Sequence, residues 1–264
     1  LDDPLGRGAM GSVFRGRDLV LQRPVAVKLL SPDFLDDELM LARFRREAMS
    51  SSRLVHPNIV TTLDFGVDAR VPYIVMELVP GMGLDELLAR ERRLDYARAA
   101  RLARQAALGL EAAHRQGIVH RDIKPANIMI SEVSDAETAR IVDFGIAHST
   151  TAGPRLTQVG IAVGTPGYVA PEQLSGGEVG ASADIFSLGV TLYEMLTGAL
   201  PWDEQDPLAL LAAVLNDRPR PLQALRPDIP EALCELTMSM IRVPLEHRPI
   251  TAGRVAEALA ALTQ

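Results

Sequence analysis

Lysine is nearly missing from this chain: of its 27 basic residues only Lys28 and Lys124 are lysines, and the other 25 are arginines. Cysteine is rarer still. Cys234 stands alone, which excludes an intramolecular disulfide or a multi-cysteine zinc site and suits a reducing compartment. The longest apolar run, 208–215, has 8 residues, far short of the roughly 20 that span a bilayer, so no membrane segment is expected within the chain. Positive charge is not in excess either. Against 34 acidic side chains the net charge is −7, a poor fit to nucleic-acid binding, which needs a basic footprint. There is no repeat of 20–50 residues and no low-complexity linker. The opening Leu1-Asp2-Asp3-Pro4 is neither a signal peptide nor a Met start, so a fragment or processed product is expected, with any anchor outside it.

What is present is ordinary for a soluble globular protein: 47% apolar and 23% charged residues. The 264 residues suffice for one large domain or two lobes with a sizeable core. Val25–Leu30, Ile59–Phe65 and Tyr73–Val79 read as strands. Glu38–Leu54 reads as a helix that stops before His56-Pro57, and Ala97–Gln116 as a second, with Leu102, Ala106 and Leu110 on one face. Further helices are expected over 184–197, 206–216, 230–242 and 251–262. The coarse picture is a small β-rich part followed by a larger helical one, with Val79-Pro80-Gly81 between them.

Leu5-Gly6-Arg7-Gly8-Ala9-Met10-Gly11-Ser12-Val13 has glycines spaced so that backbone N–H groups can approach phosphates. A plain turn or a dinucleotide-binding loop competes with that reading, but the latter should open a helix, and here a strand follows. Alternation along Val25–Leu30 puts Ala26 and Lys28 on one face. An exposed strand lysine is the bland alternative. The following helix weighs against it, because Met40, Phe44, Glu47, Ser51 and Leu54 form one stripe that carries Glu47 inward. A carboxylate there needs a cation, and Lys28 is the natural partner.

His120-Arg121-Asp122-Ile123-Lys124-Pro125-Ala126-Asn127 precedes a short apolar strand, and Asp143-Phe144-Gly145 follows another apolar pair. Magnesium on a nucleotide takes a few hard oxygen ligands, which Asn127 and Asp143 could supply. Asp122 could accept a proton from an attacking hydroxyl, and Lys124 could stabilise charge on a transferred phosphoryl group. Any one of these aspartates alone would read as a turn or cap residue.

The ordered set G-x-G-x-x-G-x-V, V-A-V-K, H-R-D-x-K-x-x-N, D-F-G and A-P-E resembles the eukaryotic-like (Hanks-type) protein kinases, and looks closest to their bacterial serine/threonine branch. The likeness runs from Leu5 to about Leu262. It implies an α+β, two-lobed protein kinase fold over 1–264, with a small β-rich N-lobe carrying one main helix over 1–79 and a mainly helical C-lobe over 80–264. It implies ATP and Mg2+ (or Mn2+) as cofactors and transfer of the γ-phosphate to Ser/Thr hydroxyls of protein substrates. By resemblance, Leu5 is among the ATP-binding residues, Gly6, Gly8 and Gly11 cover the phosphates, Val13, Ala26 and Met129 enclose adenine, and Lys28 pairs with Glu47 and the α/β-phosphates. Met76 takes the gatekeeper position, with the Glu77 carbonyl and the Val79 amide as hydrogen-bonding partners of adenine. Asp122 resembles the catalytic base, Lys124 the phosphoryl-stabilising lysine, and Asn127 and Asp143 the metal ligands. His120 and Phe144 would stack in an internal column, Glu172 would pair with Arg248, and Asp184 would anchor the backbone of the catalytic loop. Lys124, two residues after Asp122, and Thr165 in Gly164-Thr165-Pro166 match the serine/threonine pattern.

Arg121 before the catalytic Asp resembles kinases switched on by loop phosphorylation, in which an arginine pocket orders a phosphate. Thr157 is the expected principal site, with Ser149, Thr150 and Thr151 secondary, and autophosphorylation would bring two copies of the chain together. Three departures stand out. His148 replaces a common Arg or Lys and is either a pH-dependent phosphate support or an exposed loop residue. Gly83 replaces a ribose-contacting carboxylate, with Asp85 as a candidate substitute. Ser51 is small where an apolar residue completes the column, which leaves the helix bearing Glu47 free to swing. The expected location is cytoplasmic, as a soluble protein or the cytoplasmic domain of a membrane-anchored one. A pseudokinase used for docking, or a small-molecule phosphotransferase, is the alternative. The first is weakened by the presence of Lys28, Asp122, Asn127 and Asp143, the second by Ala170-Pro171-Glu172 and the long segment before it.

Overall fold

The computed structural model describes residues 1–8, 10–133, 136–144, 166–174, 179–204 and 206–262. Among these the chain opens with β1 (Pro4–Gly8), β2 (Gly11–Asp18), β3 (Arg23–Leu30), α1 (Glu38–Ser51), β4 (Thr62–Asp68) and β5 (Val71–Glu77). The five strands make one antiparallel sheet in the order β1-β2-β3-β5-β4. The β2–β3 turn is set by Asp18, whose Oδ1 accepts from the Val20 and Leu21 amides at 3.1 and 3.0 Å, the side-chain turn that Asp favours. Asp37 caps α1 by accepting from Leu39 and Met40 N–H, satisfying donors that a helix start leaves free. Phe44 and Ala48 of α1 then bury against Leu30 and Ile74 of the sheet. Each large side chain so buried contributes roughly 1.5–3 kcal/mol.

Among the element boundaries that differ from the sequence expectation, two bear on how the parts of the fold meet. α1 stops at Ser51 rather than Leu54: the chain tightens there, with Leu54 N–H donating to the Ser51 carbonyl three residues back at 3.0 Å, the closing turn common at helix ends. β4 begins at Thr62 rather than Ile59. Val60 N–H donates to the Ile141 carbonyl and Ile141 N–H to the Asn58 carbonyl, both at 2.9 Å. That segment is claimed by the second part of the fold.

After β5 the chain turns through Leu78-Val79-Pro80-Gly81. Gly81 has φ +152°, and a Cβ there would lie 2.0 Å from the Ile130 carbonyl oxygen, so no other residue fits without a shift. The second part comprises β6 (Met82–Gly83), α2 (Leu84–Glu91), α3 (Tyr96–His114), β7 (Ile128–Val133), β8 (Ala136–Ile141), α4 (Pro171–Leu174), α5 (Ala181–Thr197), α6 (Pro207–Leu215), α7 (Leu222–Leu225), α8 (Glu231–Met240) and α9 (Ala252–Ala261). β6, β7 and β8 form a small antiparallel sheet. α5 is buried on nearly every side, as expected of the central helix of a core. α3 buries alanines, leucines and Gly109, small residues that let neighbouring helices approach closely. The result is the α+β, two-lobed architecture. No helix among the described residues is long and apolar enough to cross a membrane.

The central helix also carries buried charge. Asp184 on α5 is fully buried and accepts from His120 N–H (2.8 Å), Arg121 N–H (2.7 Å) and His114 Nε2 (2.7 Å). Arg121 is held at φ 68°, a strained value for a non-glycine residue, and its carbonyl accepts from Gln173 Nε2 at 3.0 Å. A second tie joins Arg248 and Glu172 in a two-pronged pair at 2.8 and 3.0 Å. The Arg248 guanidinium also lies 4.9 Å over the Phe186 ring. Asp184→Ala would strand two buried amides, so unfolding free energy should fall by about 3 kcal/mol. Urea denaturation checks this; an unchanged midpoint would contradict the anchoring role.

Candidate active site

β3 and α1 bring Lys28 and Glu47 together. Lys28 is only 7% exposed, which removes the exposed-strand alternative. Its Nζ donates to Glu47 Oε1 at 2.7 Å and to Asp143 Oδ1 at 2.9 Å. Burial on its own would push the ammonium down, but Asp143 and Glu47 outweigh it and hold Lys28 well above its usual range. Burial likewise raises the Asp143 carboxyl, yet Lys28, with Lys124 further off, pulls it below its ordinary value. Glu47 goes the other way: burial, together with the neighbouring Asp143 charge, lifts it despite Lys28. The cluster is one ammonium shared between two carboxylates of unequal acidity.

The second group forms on the loop between α3 and β7. Lys124 Nζ donates to Asp122 Oδ2 at 2.8 Å, and Asn127 Nδ2 donates to Asp122 Oδ2 at 2.9 Å and to the Asp122 carbonyl at 2.7 Å. With its amide nitrogen committed to Asp122, Asn127 turns its oxygen the other way. The two groups adjoin through Val142 N–H, which donates to the Asn127 carbonyl at 3.0 Å. Asp143 itself has φ 54°. His120 Nδ1 accepts from Asp122 N–H at 3.2 Å, so Nε2 carries the hydrogen and donates to the Val142 carbonyl at 2.9 Å. The His120 and Phe144 rings meet edge-on, with centroids 4.8 Å apart.

The glycine loop is a hairpin, with Gly6 opposite Val13 and Gly8 opposite Gly11, so the dinucleotide-loop alternative, which needs a following helix, fails. A Cβ at Gly11 would lie 1.8 Å from the Leu29 carbonyl oxygen, whereas at Gly6 it would meet nothing within 4 Å. Gly11 is thus required by packing, and Gly6 leaves open surface. Val13 is half-buried, Ala26 and Val79 are buried, and Leu5 is exposed. Met76 lines a small gap together with Glu47, Ser51, Thr62, Asp143 and Phe144. Met129 is half-buried on β7.

A cavity of about 970 Å3 opens beside Lys124, with Asp85, Arg92, Tyr168 and Glu194 among its walls. Tyr168 donates a hydrogen bond to Glu194. Burial, with the nearby Asp85 charge, raises the Glu194 carboxyl despite that bond. The Asp85 carboxylate fills the space a side chain at Gly83 would take, 2.2 Å from a Cβ built there.

Sequence reading missed two polar ties. Thr62 Oγ1 donates to Ser51 Oγ at 2.8 Å, which fastens α1 to β4 where an apolar contact was expected. Gln173 clamps Arg121 from the residue after Ala170-Pro171-Glu172; nothing in its neighbours signals this. Thr157, Thr151, Thr150, Ser149, His148 and Thr165 lie outside the described residues. No group of three or more His, Cys, Asp or Glu side chains able to hold a metal occurs among the described residues, so a cation at Asn127 and Asp143 would need further oxygens from a nucleotide.

Residues 1–258 match the family described as protein kinase domain. The chain is 38% identical over 255 residues to a Myxococcus xanthus protein named serine/threonine-protein kinase pkn3, covering 94% of this chain and 47% of that protein. It is 42% identical over 255 residues to Mycobacterium tuberculosis serine/threonine-protein kinase PknD, covering 96% of this chain and 38% of that protein. The crystal structure of the Mycobacterium tuberculosis PknI kinase domain superposes with a TM-score of 0.75 at 27% identity, over 98% of this chain and 94% of the other. The chain spans less than half the length of these two relatives. From the ordered motifs, the fold they share and these matches together, the chain belongs to the protein kinase domain family.

Proposed function

We propose that this domain transfers the γ-phosphate of ATP to serine and threonine hydroxyls of protein substrates. The observation that carries the reading is the meeting of Lys28, Asp122, Asn127 and Asp143, drawn from segments up to 115 residues apart, in two adjoining hydrogen-bonded groups. A pseudokinase would be expected to lack one of these four side chains.

The Asp122 carboxylate accepts the proton of the substrate hydroxyl as its oxygen bonds to the γ-phosphorus and the bond to the β-phosphate oxygen breaks, releasing ADP. Lys124, held against Asp122, offsets charge on the transferred group. Lys28, kept cationic by its two carboxylates, orients the α/β-phosphates, and the open face at Gly6 and Gly8 admits them. Asn127 Oδ1 and an Asp143 oxygen would hold Mg2+ (or Mn2+), which when bound neutralises phosphate charge. Val13, Ala26 and Met129 enclose adenine, the Glu77 carbonyl and Val79 amide bond its edge, and Asp85 takes the ribose in place of a side chain at Gly83. The cavity beside Lys124 receives the substrate segment. Serine/threonine preference rests on Lys124 and on the relatives' names. Autophosphorylation in trans, with Thr157 the principal site, turns the domain on, and Arg121 supports the resulting phosphate.

Two experiments test this. Incubation with Mg-ATP, alone and with a generic basic protein, should label the chain and the added protein, and Asp122→Asn should lower transfer by about 10²–10⁴-fold without unfolding the domain. Transfer equal to wild type in that variant would remove Asp122 from the chemistry. Mass spectrometry of active protein should find phosphate between residues 148 and 160, on Thr157 first. Active protein unmodified across that stretch would rule out loop phosphorylation as the switch.

A further inference from the structure

Glu77 ends β5, and its main chain and side chain do different things. Its N–H donates to the Thr61 carbonyl at 3.0 Å. In an antiparallel pair the Thr61 N–H would return the bond to the Glu77 carbonyl. It goes instead to Glu77 Oε1, at 2.8 Å. The side chain completes the exchange in place of the backbone, and the Glu77 carbonyl takes no bond from Thr61.

The other carboxylate oxygen, Oε2, accepts from Arg140 Nη1 at 2.8 Å. Arg140 lies on β8 directly opposite Met129 of β7, and directly opposed residues project to the same face of a sheet. Arg140 therefore connects the strand pair bearing the proposed adenine floor to the edge that reads the base. Its Nε is buried without a hydrogen-bond partner among the described residues, so the guanidinium depends on Glu77 for its pairing. The two side chains are 26% and 31% exposed, and an ion pair so placed is worth about 1 kcal/mol. That is enough to select one arrangement of a flexible carboxylate.

We infer that Arg140 and the Glu77 side chain are positioning residues that keep the Glu77 carbonyl free to accept from the 6-amino group of adenine. The inference rests on the ATP reading above. With Arg140 gone, the carboxylate leaves Thr61, the Thr61 N–H falls back on the Glu77 carbonyl, and the acceptor is withdrawn from the base. What suffers is recognition of the amino group rather than phosphoryl transfer.

Steady-state kinetics with ATP and with purine riboside 5′-triphosphate, which lacks the amino group, test this in the intact domain, with melting temperatures taken for every variant. Wild type should favour ATP in kcat/KM by about tenfold, the worth of one hydrogen bond. Arg140→Ala should cut that preference to less than about threefold, chiefly through KM for ATP, and Arg140→Lys should restore part of it. A merely structural role would weaken both nucleotides equally and leave the ratio alone. If Arg140→Ala does not fold, Glu77→Ala, which removes the side-chain acceptor of the Thr61 N–H and leaves the Glu77 carbonyl in the chain, should show the reduced ratio. Wild type that does not discriminate would overturn the adenine reading itself. Wild type that discriminates, beside variants that discriminate equally, would overturn the positioning role alone.

Discussion

A charged ammonium buried to 7% exposure is unstable unless carboxylates surround it, and the geometry around Lys28 answers that constraint. Alternation along β3 points it inward, the apolar stripe of α1 carries Glu47 to meet it, and the strained backbone of Asp143 brings in a second carboxylate. Removing either acid would leave charge short of a partner in a poorly solvated place. The same cluster links the sheet, α1 and the segment after β8, so one ion group holds the two parts of the fold across the cleft.

Strain elsewhere in the site is supported in the same manner. Arg121 and Asp143 both have positive φ, each costing roughly 1–3 kcal/mol. Around Arg121, Asp184 binds the amide and Gln173 the carbonyl. Around Asp143, Lys28 holds the carboxylate, while His120 fixes Val142 and packs on Phe144. These contacts come from β3, α4 and α5, and from His120 on the loop that bears Asp122. Their combined effect is a rigid presentation of Asp122, Lys124 and Asn127.

Much of this was legible in the sequence, where a periodic pattern or an ordered motif carried it. Glu47 stood out because a carboxylate on an apolar stripe needs a reason, and α5 was expected over 184–197 against the observed Ala181–Thr197. Short or polar elements gave no such signal. α2 spans only 8 residues, and β8, Ala-Glu-Thr-Ala-Arg-Ile, mixes charge with small side chains. The start of β4 was misplaced because Ile59 and Val60 look like strand, yet Asn58 and Val60 on either side of Ile59 bond to Ile141 instead. Ties such as Thr62 to Ser51, or Glu77 to Thr61 and Arg140, join residues 11 to 63 positions apart through single polar atoms. No local pattern marks them.

The scarcity of lysine gains physical meaning from this geometry. Elsewhere the chain uses arginine, even in the buried pair of Arg248 with Glu172, where a planar fork meets one carboxylate; the two lysines sit where a compact ammonium must share space with carboxylates and, in the proposed complex, phosphates. A planar guanidinium has neither the size nor the donor geometry for that place. The most direct test is the turnover of Lys28→Arg at saturating Mg-ATP, with the fold verified by thermal melting. Charge is conserved in this variant, so only the shape of the cation changes. The expected result is a folded protein whose phosphate transfer falls by about 100-fold or more, in line with lost positioning of the reacting groups. Transfer within a few-fold of wild type would contradict the role assigned to the Lys28 cluster.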